Sequence, residues 1–138
     1  MSNLSADVLS MLKEKDTIKM LATVNDDKKP NLVPIGSLQA IDGGGILAFA
    51  NVITGKTKEN LEISQKVSIC IYRPPWTGYQ IKGTFLGWEE SGSLFDQISD
   101  SLNKVLGGMG KKVHAVGKIQ VGDVFNISMV MGMDGGCM

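Results

Sequence analysis

Apolar and polar residues alternate with a period of two through most of this chain, and turn-forming residues break the alternation at short intervals. Ile18, Met20, Ala22 and Val24 alternate with Lys19, Leu21 and Thr23; Val67, Ile69 and Ile71 alternate with Ser68, Cys70 and Tyr72; Val113, Ala115, Gly117, Ile119 and Val121 form a third series. A period of two sends successive side chains to opposite faces of an extended backbone, so each series predicts a strand. Asn25-Asp26-Asp27-Lys28-Lys29-Pro30 turns the first strand into a second over residues 31–41, and Asp42-Gly43-Gly44-Gly45 makes a hairpin into a third carrying Ile46-Leu47-Ala48-Phe49. Arg73-Pro74-Pro75-Trp76-Thr77-Gly78 is a rigid connection into a long strand over residues 79–88, where Gly83 and Gly87 predict bulges or sharp bends. The final series runs on through Val124, Phe125 and Ile127.

Three segments carry helical spacing instead. Ser5 caps a short helix with Val8, Leu9 and Leu12 on one side; Lys58-Glu59-Asn60-Leu61-Glu62-Ile63 is a second; residues 91–106 form a third, with Leu94, Ile98, Leu102, Val105 and Leu106 apolar and Gly107-Gly108 ending it. Six or seven short strands in hairpins, with helices between some of them, predict an antiparallel barrel decorated by helices rather than a parallel sheet.

At 138 residues the chain is expected to be one domain over residues 1–138, and no repeat or linker divides it. Fourteen basic residues balance fourteen acidic ones, so no net field draws in nucleic acid or an anionic membrane, and any anion must be held by a shaped pocket. No apolar run approaches the roughly 20 residues that span a bilayer, and residues 1–5 lack a secretory pattern, so a cytoplasmic protein is expected. Cys70 and Cys137 have no metal-ligand spacing and read as a small buried hydrophobe and a loose terminal thiol.

The chemically informative stretch is Ala50-Asn51-Val52-Ile53-Thr54-Gly55-Lys56-Thr57, a loop between the third strand and the second helix. The first N–H groups of a helix and the positive end of its dipole make an anion site, to which Lys56 adds an ammonium and Thr54 and Thr57 add hydroxyls. A phosphate suits it. The run also satisfies a relaxed nucleoside-triphosphate loop, but Ala50 replaces the first glycine, β-branched Val52 and Ile53 stand where backbone should wrap phosphates, and no aspartate ends an apolar strand to hold magnesium. The plainer alternative is that Thr54 or Thr57 caps the helix while Lys56 is solvated.

With these residues in place, the chain resembles the FMN-binding split barrels related to pyridoxamine 5′-phosphate oxidase, especially small stand-alone members. The markers are Leu21-Ala22-Thr23-Val24-Asn25-Asp26 leading through Lys29-Pro30-Asn31-Leu32-Val33-Pro34; Gly55-Lys56-Thr57-Lys58-Glu59-Asn60-Leu61; Ile81-Lys82-Gly83-Thr84-Phe85; and Ala115-Val116-Gly117-Lys118-Ile119-Gln120-Val121. The resemblance implies a mainly β fold, a six-stranded antiparallel split β-barrel with Greek-key connections and about three short helices. It implies a non-covalent FMN at a homodimer interface, with the phosphate on Thr54, Gly55, Lys56 and Thr57. The isoalloxazine edge would lie along Pro34, Ile35, Gly36, Asn51 and Val52, read by backbone groups, and Trp76, Thr77 and Gly78 would approach from the partner subunit. Lys28 stands where relatives commonly have glycine, and residues 124–138 offer no counterpart of the basic, histidine-containing segment that grips pyridoxal phosphate, so vitamin B6 oxidation is not expected.

His114 is the single histidine, which counts against a haem or zinc site, and it reads as a solvated edge residue. Glu89-Glu90 faces opposite ways on a strand and reads as a solvated turn. Trp76 and Trp88 could each stack on a planar ligand or pack. No side chain does redox chemistry itself, so activity would depend on the flavin. The expectation is an FMN-dependent oxidoreductase or electron-transfer protein, taking electrons from a nicotinamide nucleotide or a partner protein. A flavin carrier and a deazaflavin-binding barrel are the alternatives.

Overall fold

Alternation and turns resolve into seven strands and three helices, in a computed structural model that describes residues 4–14, 16–51, 55–106 and 113–128. The order is α1 (Ala6–Lys13), β1 (Ile18–Val24), β2 (Pro30–Pro34), β3 (Gln39–Ile41), β4 (Ile46–Asn51), α2 (Lys56–Ser64), β5 (Lys66–Arg73), β6 (Thr77–Glu89), α3 (Ser93–Leu106) and β7 (Ala115–Asn126), with a 3₁₀ turn at Asp42–Gly44 before β4. All pairings are antiparallel, and the strands lie in one sheet in the order β2-β1-β5-β6-β7-β4-β3.

Among the described residues the strands number seven, not six, because residues 31–41 hold two strands. Pro34 has no N–H to extend a ladder. The Ile35 N–H returns to Lys19 O at 2.9 Å and the Leu38 N–H to Ile35 O at 3.3 Å, so the chain turns at residues 35–38 and β3 pairs with β4. β2 and β3 therefore end the strand order at opposite sides, and among the described residues no pairing joins them into a closed barrel.

The sheet wraps a core in which Leu21, Leu47, Phe49, Ile69, Ile81 and Ile119 meet from five different strands, and α1 plugs it with Val8, Met11 and Leu12. Burying each such side chain contributes about 1.5–3 kcal/mol. Ser5 starts α1, its Oγ accepting the Val8 N–H at 3.4 Å. A second cluster lies on the opposite face of β4 and β7, where α3 sets Ile98 against Ala48, Ala50 and Val116. In β1 the core takes Leu21, while Ile18 is exposed and Met20 is half-buried on the outer face.

Register shifts in the β6–β7 ladder fall between Ile81 and Gly83 and between Phe85 and Gly87, at the expected glycines. A Cβ at Gly83 would lie 2.6 Å from Gln120 O, and Gly87 has a φ of 140°, a conformation that favours glycine. No helix among the described residues is long and apolar enough to cross a membrane.

Candidate functional site

The start of α2 has no side-chain cap. Its N-cap is Gly55, with φ 149° and ψ −145°, so the first helical N–H groups are left for an external acceptor. The space around Gly55 is open, and its backbone angle is what favours glycine. Lys56 is exposed and lies 3.5 Å from Glu59 Oε2, one turn along. Thr57 does not cap the helix; its Oγ1 accepts a hydrogen bond from Asn31 Nδ2 at 2.9 Å. Val52 and Thr54 lie outside the described residues.

This helix start forms one end of a cavity of about 910 Å³. Pro34, Ile35, Gly36, Asn51, Gly55, Lys56 and Thr57 all line it, so the structure brings these expected residues together. Phe49, Ile98 and Leu102 supply apolar wall, joined by Leu12 and Leu38 near α1. Its charged lining residues are Lys13, Lys19 and Lys56; all are cations, in a chain whose fourteen basic and fourteen acidic residues cancel. A cavity of this volume, with lysines set among apolar walls, suits an elongated anion with a planar apolar part.

Two polar groups in the wall are unspent. Asn51 is 7% exposed, and its Nδ2 has no hydrogen-bond partner. A buried amide left this way costs about 1–3 kcal/mol, which an acceptor on a ligand would recover. Within residues 34–36, Pro34 has no N–H, the Ile35 N–H is taken by Lys19 O, and Gly36 O accepts from Lys19 Nζ at 3.5 Å. The Gly36 N–H is thus the backbone donor that residues 34–36 have to offer.

Lys19 is a site residue that the sequence did not single out. Its Nζ donates to Leu12 O at 3.0 Å, Leu38 O at 3.3 Å and Gly36 O, holding the end of α1 to the turn at residues 35–38. Burial pushes its pKa below the ordinary lysine value. Asn31 and Ser37 were also missed. The Ser37 Oγ accepts the Ala50 N–H at 2.9 Å and so fastens the same turn to β4. Their signal in the sequence is faint, since each is a single polar residue beside a proline or glycine.

Trp76, Thr77 and Gly78 are not brought to the cavity within one chain. Trp76 sits in the β5–β6 turn and is 50% exposed, while Thr77 and Gly78 open β6 and pair with Arg73 and Tyr72. Trp88 packs instead, edge-on to Phe49 and Phe85 at ring-centroid distances of 5.7 and 4.8 Å, with its Nε1 donating to Glu62 Oε2 at 2.9 Å. Glu89 pairs with Lys118 at 3.0 Å. The His114 side chain is exposed, its backbone N–H bonds Asn51 O at 2.9 Å, and it does not line the cavity. Among the described residues no cluster of His, Cys, Asp or Glu could hold a metal ion. Cys70 is half-buried on β5, and Cys137 lies outside the described residues.

The family model for pyridoxamine 5′-phosphate oxidase matches residues 7–126. The chain belongs to the pyridoxamine 5′-phosphate oxidase family. The same fold recurs in solved structures of low identity. HupZ of Group A Streptococcus is 23% identical with a TM-score of 0.76, covering 96% of this chain and 99% of its own. An FMN-binding protein from Syntrophomonas wolfei subsp. wolfei is 18% identical with a TM-score of 0.76, over 88% of this chain and 84% of its own. HutZ, the heme storage protein from Vibrio cholerae, is 15% identical with a TM-score of 0.62, over 92% and 97%. No curated protein sequence matches the chain.

Proposed function

We propose that this protein binds FMN non-covalently and serves as a small oxidoreductase or electron-transfer protein. The observation that carries the reading is the unpartnered, buried Asn51 amide in the wall of a cavity whose end is the uncapped start of α2. The phosphate would be held by the helical N–H groups with Lys56 and Thr57. The ring would occupy the apolar wall, with Asn51 Nδ2 and the Gly36 N–H as donors to its polar edge. When bound, the flavin supplies the electron chemistry; the protein's groups position it and set its electrostatics. Membership of the family and an FMN-binding protein of the same fold support this choice. The single histidine is exposed and is not among the residues that line the cavity, which favours FMN over haem.

A homodimer completes the reading. By register, Ile18, Tyr72 and Gly78 share the outer sheet face with Met20, Cys70, Gln80 and Phe125, two adjacent rows without a charge. Ile18 and Phe125 are exposed there, and so is Trp76 in the turn just before β6. An uncharged two-row face with exposed Ile18 and Phe125 suits the isologous partner that would carry Trp76, Thr77 and Gly78 to a shared cofactor.

The test is the chromophore. Protein purified from its host and heated should release a yellow compound that co-chromatographs with FMN, and apoprotein should take up FMN in preference to riboflavin. A haem spectrum, or apoprotein that ignores FMN, would overturn the proposal. In deaerated solution, bleaching of the bound flavin by NADH or NADPH would mark a reductase, and its absence an electron carrier.

A further inference from the structure

The cavity lining holds a second cation along β2 from Lys56: Asn31, at one end of that strand, bonds Thr57 beside Lys56, whereas the turn that follows Pro34 at its other end is held by Lys19. Lys19 extends from β1 among the carbonyls of Leu12, Gly36 and Leu38, and no carboxylate pairs with it among the described residues. An ammonium has three protons, and three carbonyls take them, so Lys19 has little hydrogen bonding left for a ligand. What it retains is an unneutralised, half-buried positive charge, fixed in position by the end of α1 and the turn at residues 35–38. Partial burial keeps that charge from being screened as a surface lysine would be.

A ligand anchored at Lys56 and lying along the wall at residues 34–38 brings its far end against the turn that Lys19 holds. We propose that Lys19 is a positioning residue of the ring pocket that, by its fixed charge, favours the reduced, anionic form of the bound flavin over the oxidised, neutral ring. The inference rests on the FMN reading above. The chemistry balances simply: two electrons from an added reductant and one proton from water convert the neutral ring into a singly protonated, singly negative one. A cation nearby binds that product more tightly than the starting ring. One unit charge several ångströms away at an effective dielectric near 20 corresponds to roughly a ten- to hundredfold preference.

The experiment compares the midpoint potential of FMN bound to wild type, Lys19→Arg and Lys19→Gln, by dithionite titration against a reference dye, with FMN affinity and melting temperature measured alongside. Glutamine keeps donors for the carbonyls and removes the charge. Its potential should fall by about 30–60 mV, which is that ten- to hundredfold change for a two-electron couple, whereas arginine should stay within about 15 mV of wild type. A folded, FMN-loaded Lys19→Gln protein with wild-type potential overturns the inference while leaving the FMN reading intact. Failure of wild type to bind FMN overturns both and shows first, in the titration. Should Lys19→Gln not fold, wild type still decides: its reduced flavin should stay anionic, by absorbance, at a lower pH than free reduced FMN, with Lys13 and Lys56 the other charged groups lining the cavity. The same ionisation as free FMN would refute the proposal.

Discussion

Asn31 on β2 and Thr57 on α2 are joined by a 2.9 Å hydrogen bond in which the Asn31 amide donates and the Thr57 hydroxyl accepts. A hydroxyl that accepts from one side keeps its own proton to give on another, and Thr57 lines the cavity. The edge strand thus orients a hydroxyl at the bare start of the helix.

Removing these groups should weaken FMN binding without unfolding the protein. Lys56→Ala is expected to cost about 1.5–3 kcal/mol, the worth of a charge-assisted hydrogen bond, and Thr57→Val about 0.5–1.5 kcal/mol. Quenching of flavin fluorescence on titration measures both. Because the Lys56 side chain is exposed, its loss should leave the melting temperature nearly unchanged. Wild-type affinity in both variants would move the phosphate elsewhere.

The helix-start half of the site was legible in the sequence because glycine, lysine and threonine after a strand have few structural uses together. The other half was not. Lys19 lies in a strand whose more apolar side is Ile18, Met20, Ala22 and Val24, so alternation alone sets Lys19 on the side away from a core; the core instead takes Leu21 and Thr23, and Lys19 shares their side. The turn that splits residues 31–41 into β2 and β3 is held by long-range bonds, Ile35 N–H to Lys19 O and Ala50 N–H to Ser37 Oγ among them, which no local pattern encodes. Gly83 and Gly87 were readable because a glycine within a strand leaves few explanations.

Gly117 and Phe49 should tolerate no added bulk between them. A Cβ at Gly117 would lie 2.5 Å from the Phe49 ring and 2.9 Å from Trp88, both packed in the core edge. Gly117→Ala is therefore expected to destabilise the fold by about 1–3 kcal/mol, the usual cost of overpacking. Urea denaturation of the apoprotein gives the number. Because Phe49 also lines the cavity, FMN affinity should fall in parallel; unchanged stability would mean that the two rings can shift together.

Dimerisation should depend on the uncharged outer rows. Light scattering at micromolar concentration is expected to give twice the 14.8 kDa chain mass, and Phe125→Asp, at a residue 47% exposed in the single chain, should lower it toward one chain. Loss of FMN affinity in the same variant would tie the cofactor to the interface. A monomeric wild type with full FMN affinity would remove the partner subunit from the site.

Acid should release Trp88 from α2. Hydrogen bonds from Lys58 and then from Trp88 hold the Glu62 carboxyl below its ordinary value of 4.5, although the group is open to solvent. A carboxylate whose folded pKa is depressed contributes stability that is present above about 4.5 and is lost as pH falls through the lower folded value. In a Trp76→Phe background, where Trp88 is the remaining tryptophan, its fluorescence should change as pH drops below 4.5, and the stability difference between that protein and its Glu62→Gln derivative should shrink over the same range. The exposed setting keeps the effect small. A difference that stays constant from pH 7 to pH 3 would show that the Glu62 link to Trp88 carries no pH-dependent stability.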